Sequence, residues 1–422
     1  MKKENGITLV ALVVTIVVLI IIAGVTLSLT IDNGGIMKRA KTAVNDYASQ
    51  DTKEEKHFND LADWVDKNGN ESGIAKVPVN TKTEENGTIN GKKPGTNNPV
   101  IPGGYTPIDA GDAKWGDGSS APTQDSVDHG LVIKDDAGNE WVWVPVEADV
   151  FSSMYVTLND GIALSGDVGV TTKMYTNSVT IGRTGDTKTL SRGMPNSTNV
   201  REPDLIIDYN NYDKNEKNYK TILGFESTKD MAETFTKDYA NMISGIEKYG
   251  GFYIGRYELS KEGVQKGKAT LTNTIWYELY KKCTTLNASD KVESKMIWGI
   301  QWDLACDFIS KKGEQKSITN STTWGNYSDS IGDAAIMDGK TKKYGIKQVT
   351  GYSEYWKANN IYDLAGNCVE GSQEGIGTSA RVSRGGLCNS SGASAPAAVR
   401  STFSLFGYSS PFDATRPVLI IK

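Results

Sequence analysis

The sequence predicts an α+β protein carried on a long N-terminal α-helical stem, and three observations predict it. Residues 7–29 contain no charged side chain. Helical apolar spacing recurs over 36–65, 231–249, 275–283 and 301–309. Strand-like runs fall between these helices without regular βαβ alternation, the pattern of an α+β chain.

The stem comes first. About 20 apolar residues span a bilayer as one helix, and in lipid only a helix satisfies its own backbone polar groups, so 7–31 reads as a transmembrane helix. Lys2 and Lys3 precede it, which keeps the N-terminus cytoplasmic and sends everything after Ile31 outward. A secretory signal has a shorter apolar run that closes on a small-residue cleavage site. Here the candidate cleavage point, Gly6, comes before the run, and Ile7 follows it. That order resembles the type IV pilins and pseudopilins. The resemblance implies that 1–6 is a leader, that prepilin cleavage after Gly6 leaves Ile7 as the mature N-terminus, and that pilus subunits are partners. The family's Glu at the fifth mature position is Ala11 here, which argues against a bulk filament subunit. It leaves a minor pilin with a structural role, or a protein simply anchored by its stem. A plain signal anchor is the alternative. Each reading places the chain in the membrane with its bulk on the extracellular face.

The pattern Ile36, Ala40, Ala43, Val44, Tyr47 and then Phe58, Leu61, Ala62, Val65 predicts a stalk helix over 32–66. Residues 67–104 are rich in Asn, Gly, Thr, Lys and Pro, and the composition predicts a flexible linker. The globular part is expected over 105–422. Two β-rich runs, 130–134 and 140–144, flank the Asp/Gly/Asn turn at 135–139 and predict a hairpin. A long polar insertion covers about 151–222. The helix over 231–249 stops at Gly250-Gly251, and a strand follows at 252–258. In the last helix Trp302, Ala305, Cys306 and Ile309 share one face and read as core.

Charge and composition exclude several classes. A net charge of -5 argues against nucleic acid as a partner, because phosphate binding needs a basic stripe. Four cysteines in 422 residues are not a disulfide scaffold, although a single bridge stays open. Only His57 and His129 are present, and no Ser nucleophile motif with a His partner occurs.

Two segments near the C-terminus carry a second resemblance. Asn360-Ile361-Tyr362-Asp363-Leu364-Ala365-Gly366-Asn367-Cys368-Val369-Glu370 and Arg381-Val382-Ser383-Arg384-Gly385-Gly386, with Arg416-Pro417 beyond them and the 250–258 strand before, resemble the formylglycine-generating-enzyme (sulfatase-modifying-factor) family. The resemblance implies a C-type-lectin-like fold for about 130–422. It also implies a Ca²⁺ loop supplied by Asp363, Gly366, Cys368 and Glu370, a reasonable oxygen set for that ion if water completes it. A tight turn with capping carboxylates is the bland reading of the same residues. The family's copper-dependent oxidase chemistry uses paired cysteines, and this region offers only Cys388, so no enzyme is expected. Arg384 and Arg416 read as scaffold ion pairs.

The stretch 387–415 contains no Lys, Glu, Gln, Met or Trp. These residue types are missing from codons that end in a pyrimidine, and the segment resembles the variable region of retroelement-diversified lectin-like proteins. A small-residue loop closing the fold is the alternative. Leu387, Cys388, Asn389, Ser391, Ala393, Ala395, Ser401, Phe403, Phe406, Tyr408, Ser409, Phe412 and Asp413 are the candidate ligand-binding residues, a paratope-like mixture of aromatic and small side chains. The expected function is adhesion or ligand binding at the cell surface, toward a protein or glycan on another cell or phage.

Overall fold

The computed structural model describes residues 76–147, 162–163, 171–172, 175–176, 200–202 and 217–422, the last range without 227, 288, 339–340, 377–379 and 403–408. The chain divides into two units at Ser72/Gly73, and the described residues all belong to the second. In chain order the main elements are β1 (Tyr105–Ile108), α1 (Gln124–Asp128), β2 (Val132–Asp135), β3 (Glu140–Pro145), α2 (Thr228–Tyr249), β4 (Gly251–Gly255), α3 (Trp276–Thr284), β5 (Val292–Met296), α4 (Gly299–Lys311), β6 (Val369–Ile376), β7 (Ala380–Arg384), β8 (Arg400–Thr402), β9 (Asp413–Thr415) and β10 (Pro417–Ile421).

The first sheet is antiparallel throughout, in the order β1-β2-β3-β4-β10-β5. Its central strands are apolar on both faces, because successive side chains point to opposite sides. Val142, Val144, Ile254, Val418 and Ile420 face one core, which α2, α3 and α4 cover with Phe235, Met242, Trp276, Trp298 and Leu304. Trp141, Trp143, Tyr253, Leu419 and Ile421 face the other. That second face is covered by Ile89, Val100, Ile101 and Trp115. Trp143 Nε1 donates to the Thr96 carbonyl at 2.9 Å, and the Tyr253 hydroxyl donates to the Val100 carbonyl at 2.8 Å. Gly250, at φ +76, ends α2 where a Cβ would lie 2.5 Å from the Thr96 nitrogen, so only glycine fits.

The second sheet runs β8-β7-β6 and continues through Val200–Glu202 and Tyr175–Thr176, with β9 parallel to β6. It is fastened by a closed ring of four fully buried charges. Arg384 and Arg400 each pair with both Asp303 and Glu374, among them Arg400 Nε to Glu374 at 2.7 Å. Arg384 is therefore a scaffold ion pair, as expected. Arg416 is another, gripping Glu370 through Nη2 at 2.6 Å and Nε at 2.9 Å.

Two expectations are corrected. The fold class, a long helical stem followed by a C-type-lectin-like or formylglycine-generating-enzyme-like domain, is replaced by mostly antiparallel sheets with a few helices. The described residues contain no long N-terminal helical stem. Residues 1–66, with Gly6, Ile7 and the expected transmembrane and stalk helices, lie outside the described residues. No helix among the described residues is long and apolar enough to cross a membrane. The linker reading also fails for 76–104, whose scattered apolar side chains are buried against the Trp141/Trp143 face. His129 caps the end of α1.

Candidate functional site

The loop at 363–370 is bent by left-handed backbone at Asp363 (φ 56), Gly366 (φ 79) and Asn367 (φ 59). At Gly366 a Cβ would lie 2.1 Å from the Asn326 carbonyl oxygen, so the close approach requires glycine. The loop is wired into the core by its polar groups. Glu370 gives both oxygens to Arg416. Asp363 Oδ2 accepts from the Gly351 N–H at 2.6 Å, while Oδ1 has no hydrogen-bond partner. Glu258 accepts from Thr270 at 2.6 Å, from Asn367 Nδ2 at 2.7 Å and from the Cys368 N–H at 3.1 Å. Burial, with the carboxyls of Asp363 and Glu370 beside it, pushes Glu258 well above the usual carboxylate range. Burial likewise lifts Asp363 to about 7.

Of the expected calcium ligands Asp363, Gly366, Cys368 and Glu370, the last is not free to bind an ion. A cation needs free oxygens, and those of Glu370 are held by a guanidinium whose charge opposes a second cation. No group of three or more His, Cys, Asp and Glu side chains among the described residues is arranged to hold a metal. The motif builds the scaffold instead.

The surface beside this loop has a different character. All of the large hydrophobic side chains exposed among the described residues lie between 331 and 355: Ile331, Met337, Tyr344, Ile346, Val349, Tyr352 and Tyr355. Tyr344 is 62% exposed, Tyr355 56% and Tyr352 54%. Single exposed apolar residues are ordinary, whereas clustering of this kind marks interaction sites. Rigid neighbours hold the segment. Trp356 Nε1 donates to the Ala334 carbonyl at 2.8 Å, Asn326 Nδ2 to the Ile346 carbonyl at 2.9 Å, and the Gln348 N–H to Asn367 Oδ1 at 2.9 Å.

This segment also abuts the candidate residues in 387–412. Asp329 accepts from the Ser391 hydroxyl at 2.6 Å and from the Gly392 N–H at 2.7 Å. A Cβ on Gly345 would meet Asn389 at 3.2 Å. Lys347 Nζ donates to the Pro411 carbonyl at 2.6 Å and lies 5.9 Å from the Phe412 ring centre.

The structure divides the sequence-predicted site residues. Asn389, Ala393 and Ser409 are exposed; Leu387, Ser391, Ser401 and Phe412 are half-buried. Cys388, Ala395 and Asp413 are buried and belong to the scaffold, because the chain turns inward there to meet Asn367, Gly386 and β6. Phe403, Phe406 and Tyr408 lie outside the described residues. Sequence reasoning passed over 331–355. The available signal was three tyrosines set among Lys, Gly and Ser with neither helical nor strand spacing.

Compared with protein-family models, with curated proteins and with solved structures, the chain finds no match.

Proposed function

We propose that the protein is an outward-facing binding protein that grips a protein partner with the 331–355 surface and the neighbouring exposed positions of 387–412. The concentration of every exposed large hydrophobic of the described residues into one 25-residue stretch carries this reading. Tyrosines combined with Ile331, Met337, Ile346 and Val349 suit a protein surface. A glycan would ask instead for more hydrogen-bonding side chains around a flat ring. Catalysis has no support in the arrangement described. The buried thiols are protonated, and the buried carboxylates are held by arginines and backbone.

The outward address rests on Lys2 and Lys3 before the uncharged run 7–29. The restricted alphabet of 387–415 supports diversification of the site, and Asn389, Ala393 and Ser409 are the described positions where change leaves the core untouched. The test is photocrosslinking of the full chain in its native cells, with a benzophenone amino acid at Tyr344 or Tyr352 and at exposed Asp112 as control. Discrete protein adducts at the two tyrosines and none at 112 are expected. Equal adducts at all three sites, or none, would overturn the reading. A C-terminal tag reached by an impermeant label on intact cells checks the address separately.

A further inference from the structure

We propose that Cys368 and Cys388 are a redox pair that closes into a disulfide, fastening the 363–370 loop to the start of the 387–412 surface segment. Both are buried free thiols in this structure. The Cys388 N–H donates to the Asn367 carbonyl at 3.1 Å, and the Gly366 N–H donates to the Gly385 carbonyl at 2.7 Å. The first bond joins Cys388 to the residue next to Cys368, and a disulfide spans ~4.4–6.8 Å between Cα atoms. The two side chains also share their surroundings. Each thiol lies within electrostatic reach of the Glu258 carboxyl and the Lys347 ammonium, and of the other thiol in the case of Cys368.

The remaining cysteines sit elsewhere. Cys283, on α3, accepts through its carbonyl from Ser294 at 2.5 Å, and Cys306, on α4, lies near the Asp303/Arg384 ring. Neither adjoins the surface segment.

The chemistry balances with a small-molecule disulfide as oxidant. Cys388 lies between half-buried Leu387 and exposed Asn389, so it is the thiol an oxidant meets first. Its thiolate attacks one sulfur of the oxidant, forms a mixed disulfide and releases one thiolate. Cys368, deprotonated, then attacks the Cys388 sulfur and expels the second. Two protons and two electrons leave the protein, and the oxidant is reduced to two thiols. Burial raises Cys388 to about 11 and lifts Cys368 well above the usual thiol range, so closure accelerates as pH rises.

The test incubates the reduced full-length protein with oxidised glutathione at several pH values. Samples are then quenched in acid, alkylated in denaturant, digested and mapped by mass. Alkylatable thiols are expected to fall from the four of the reduced protein to two. One linked peptide pair should carry Cys368 and Cys388, and dithiothreitol should reverse it. Four remaining thiols, a glutathione adduct that never resolves, or a bridge to Cys283 or Cys306 would overturn the proposal. The wild-type map decides this alone; a Cys388→Ser variant, if it folds, should lose the linked pair and keep three thiols. Partner crosslinking at Tyr344 reports on the binding surface and fails or succeeds independently.

Discussion

Two stretches of this chain look alike in sequence and end in opposite places. Residues 76–104 and 331–355 are both rich in Gly, Lys and Thr, with apolar residues scattered at no regular period. In the first, Ile89, Val100 and Ile101 are buried. In the second, Ile331, Ile346 and Tyr344 stay in solvent. The difference is what lies beneath them. The strands β3, β4 and β10 carry large apolar side chains on both faces, and among the described helices only Val127 of the short α1 and Tyr249 at the end of α2 reach the face with Trp141, Trp143 and Tyr253. Residues 76–104 cover it, and so fold. The 331–355 stretch lies beside a scaffold whose Glu258, Asn367 and Glu370 side chains are already paired, and among the described residues nothing covers its exposed apolar side chains. Irregular apolar residues thus become core or contact surface according to the partner on offer.

The largest effects should come from breaking the covered side. Trp115 is fully buried, and its Nε1 donates to the Val132 carbonyl at 2.7 Å. Trp115→Ala should cost about 3–5 kcal/mol of unfolding free energy, through lost burial and the cavity left behind. Ile101→Ala should cost about 2–5 kcal/mol by the same route. Both are read from urea midpoints of the full chain. A cost below about 0.5 kcal/mol for Ile101→Ala would show that 76–104 is a detachable linker after all.

Much of the framework was legible in the residues because it follows regular periods. The alternation through 130–144 gave the hairpin, and the spacing of Phe235, Tyr239, Met242 and Ile246 gave α2, with Gly250 as its stop. Trp302, Ala305, Cys306 and Ile309 are core as their spacing implies. The fold class was not legible, because sheet order depends on pairings such as β10 between β4 and β5, more than 100 residues apart in sequence. The cover over the Trp face was missed because composition cannot show that a naked face is waiting. The pairing of the carboxylate loop was hidden for a related reason. Glu370 looks like a free carboxylate until Arg416, 46 positions beyond it, is brought onto its oxygens.

That carboxylate loop gives the next effect, of intermediate size. Asp363 is buried near Glu258, Glu370, Arg416 and Lys266, and burial raises it to about 7. A carboxyl raised in the folded state adds stability that is complete below its unfolded value, near 4, and is lost as pH climbs through about 7. Asp363→Asn removes this titration while keeping an oxygen for the Gly351 N–H, and Asn accepts the left-handed backbone at this position. The variant should match the wild type near pH 4 and exceed it by about 4 kcal/mol near pH 8. Parallel stability curves across that range would show that Asp363 is charged in the folded protein.

The smallest effect on stability should come from the uncovered side, and there the contrast is sharpest. Tyr344→Ala, Tyr352→Ser and Tyr355→Ser remove rings that are more than half exposed, so each should change the urea midpoint by no more than about 0.5 kcal/mol equivalent. Tyr352 is the most demanding of the three, because its ring lies 5.4 Å from that of Trp356 and contributes a little packing. Removal of all three should nevertheless abolish the partner adduct formed by a benzophenone at Ile346, a position between them that the substitutions leave unaltered. A triple variant that is as stable as the wild type and still crosslinks fully would mean that these rings face water without a task. A triple variant that unfolds would place them with 76–104 among the residues that hold the sheet. Only loss of the adduct with stability retained separates a contact surface from a cover.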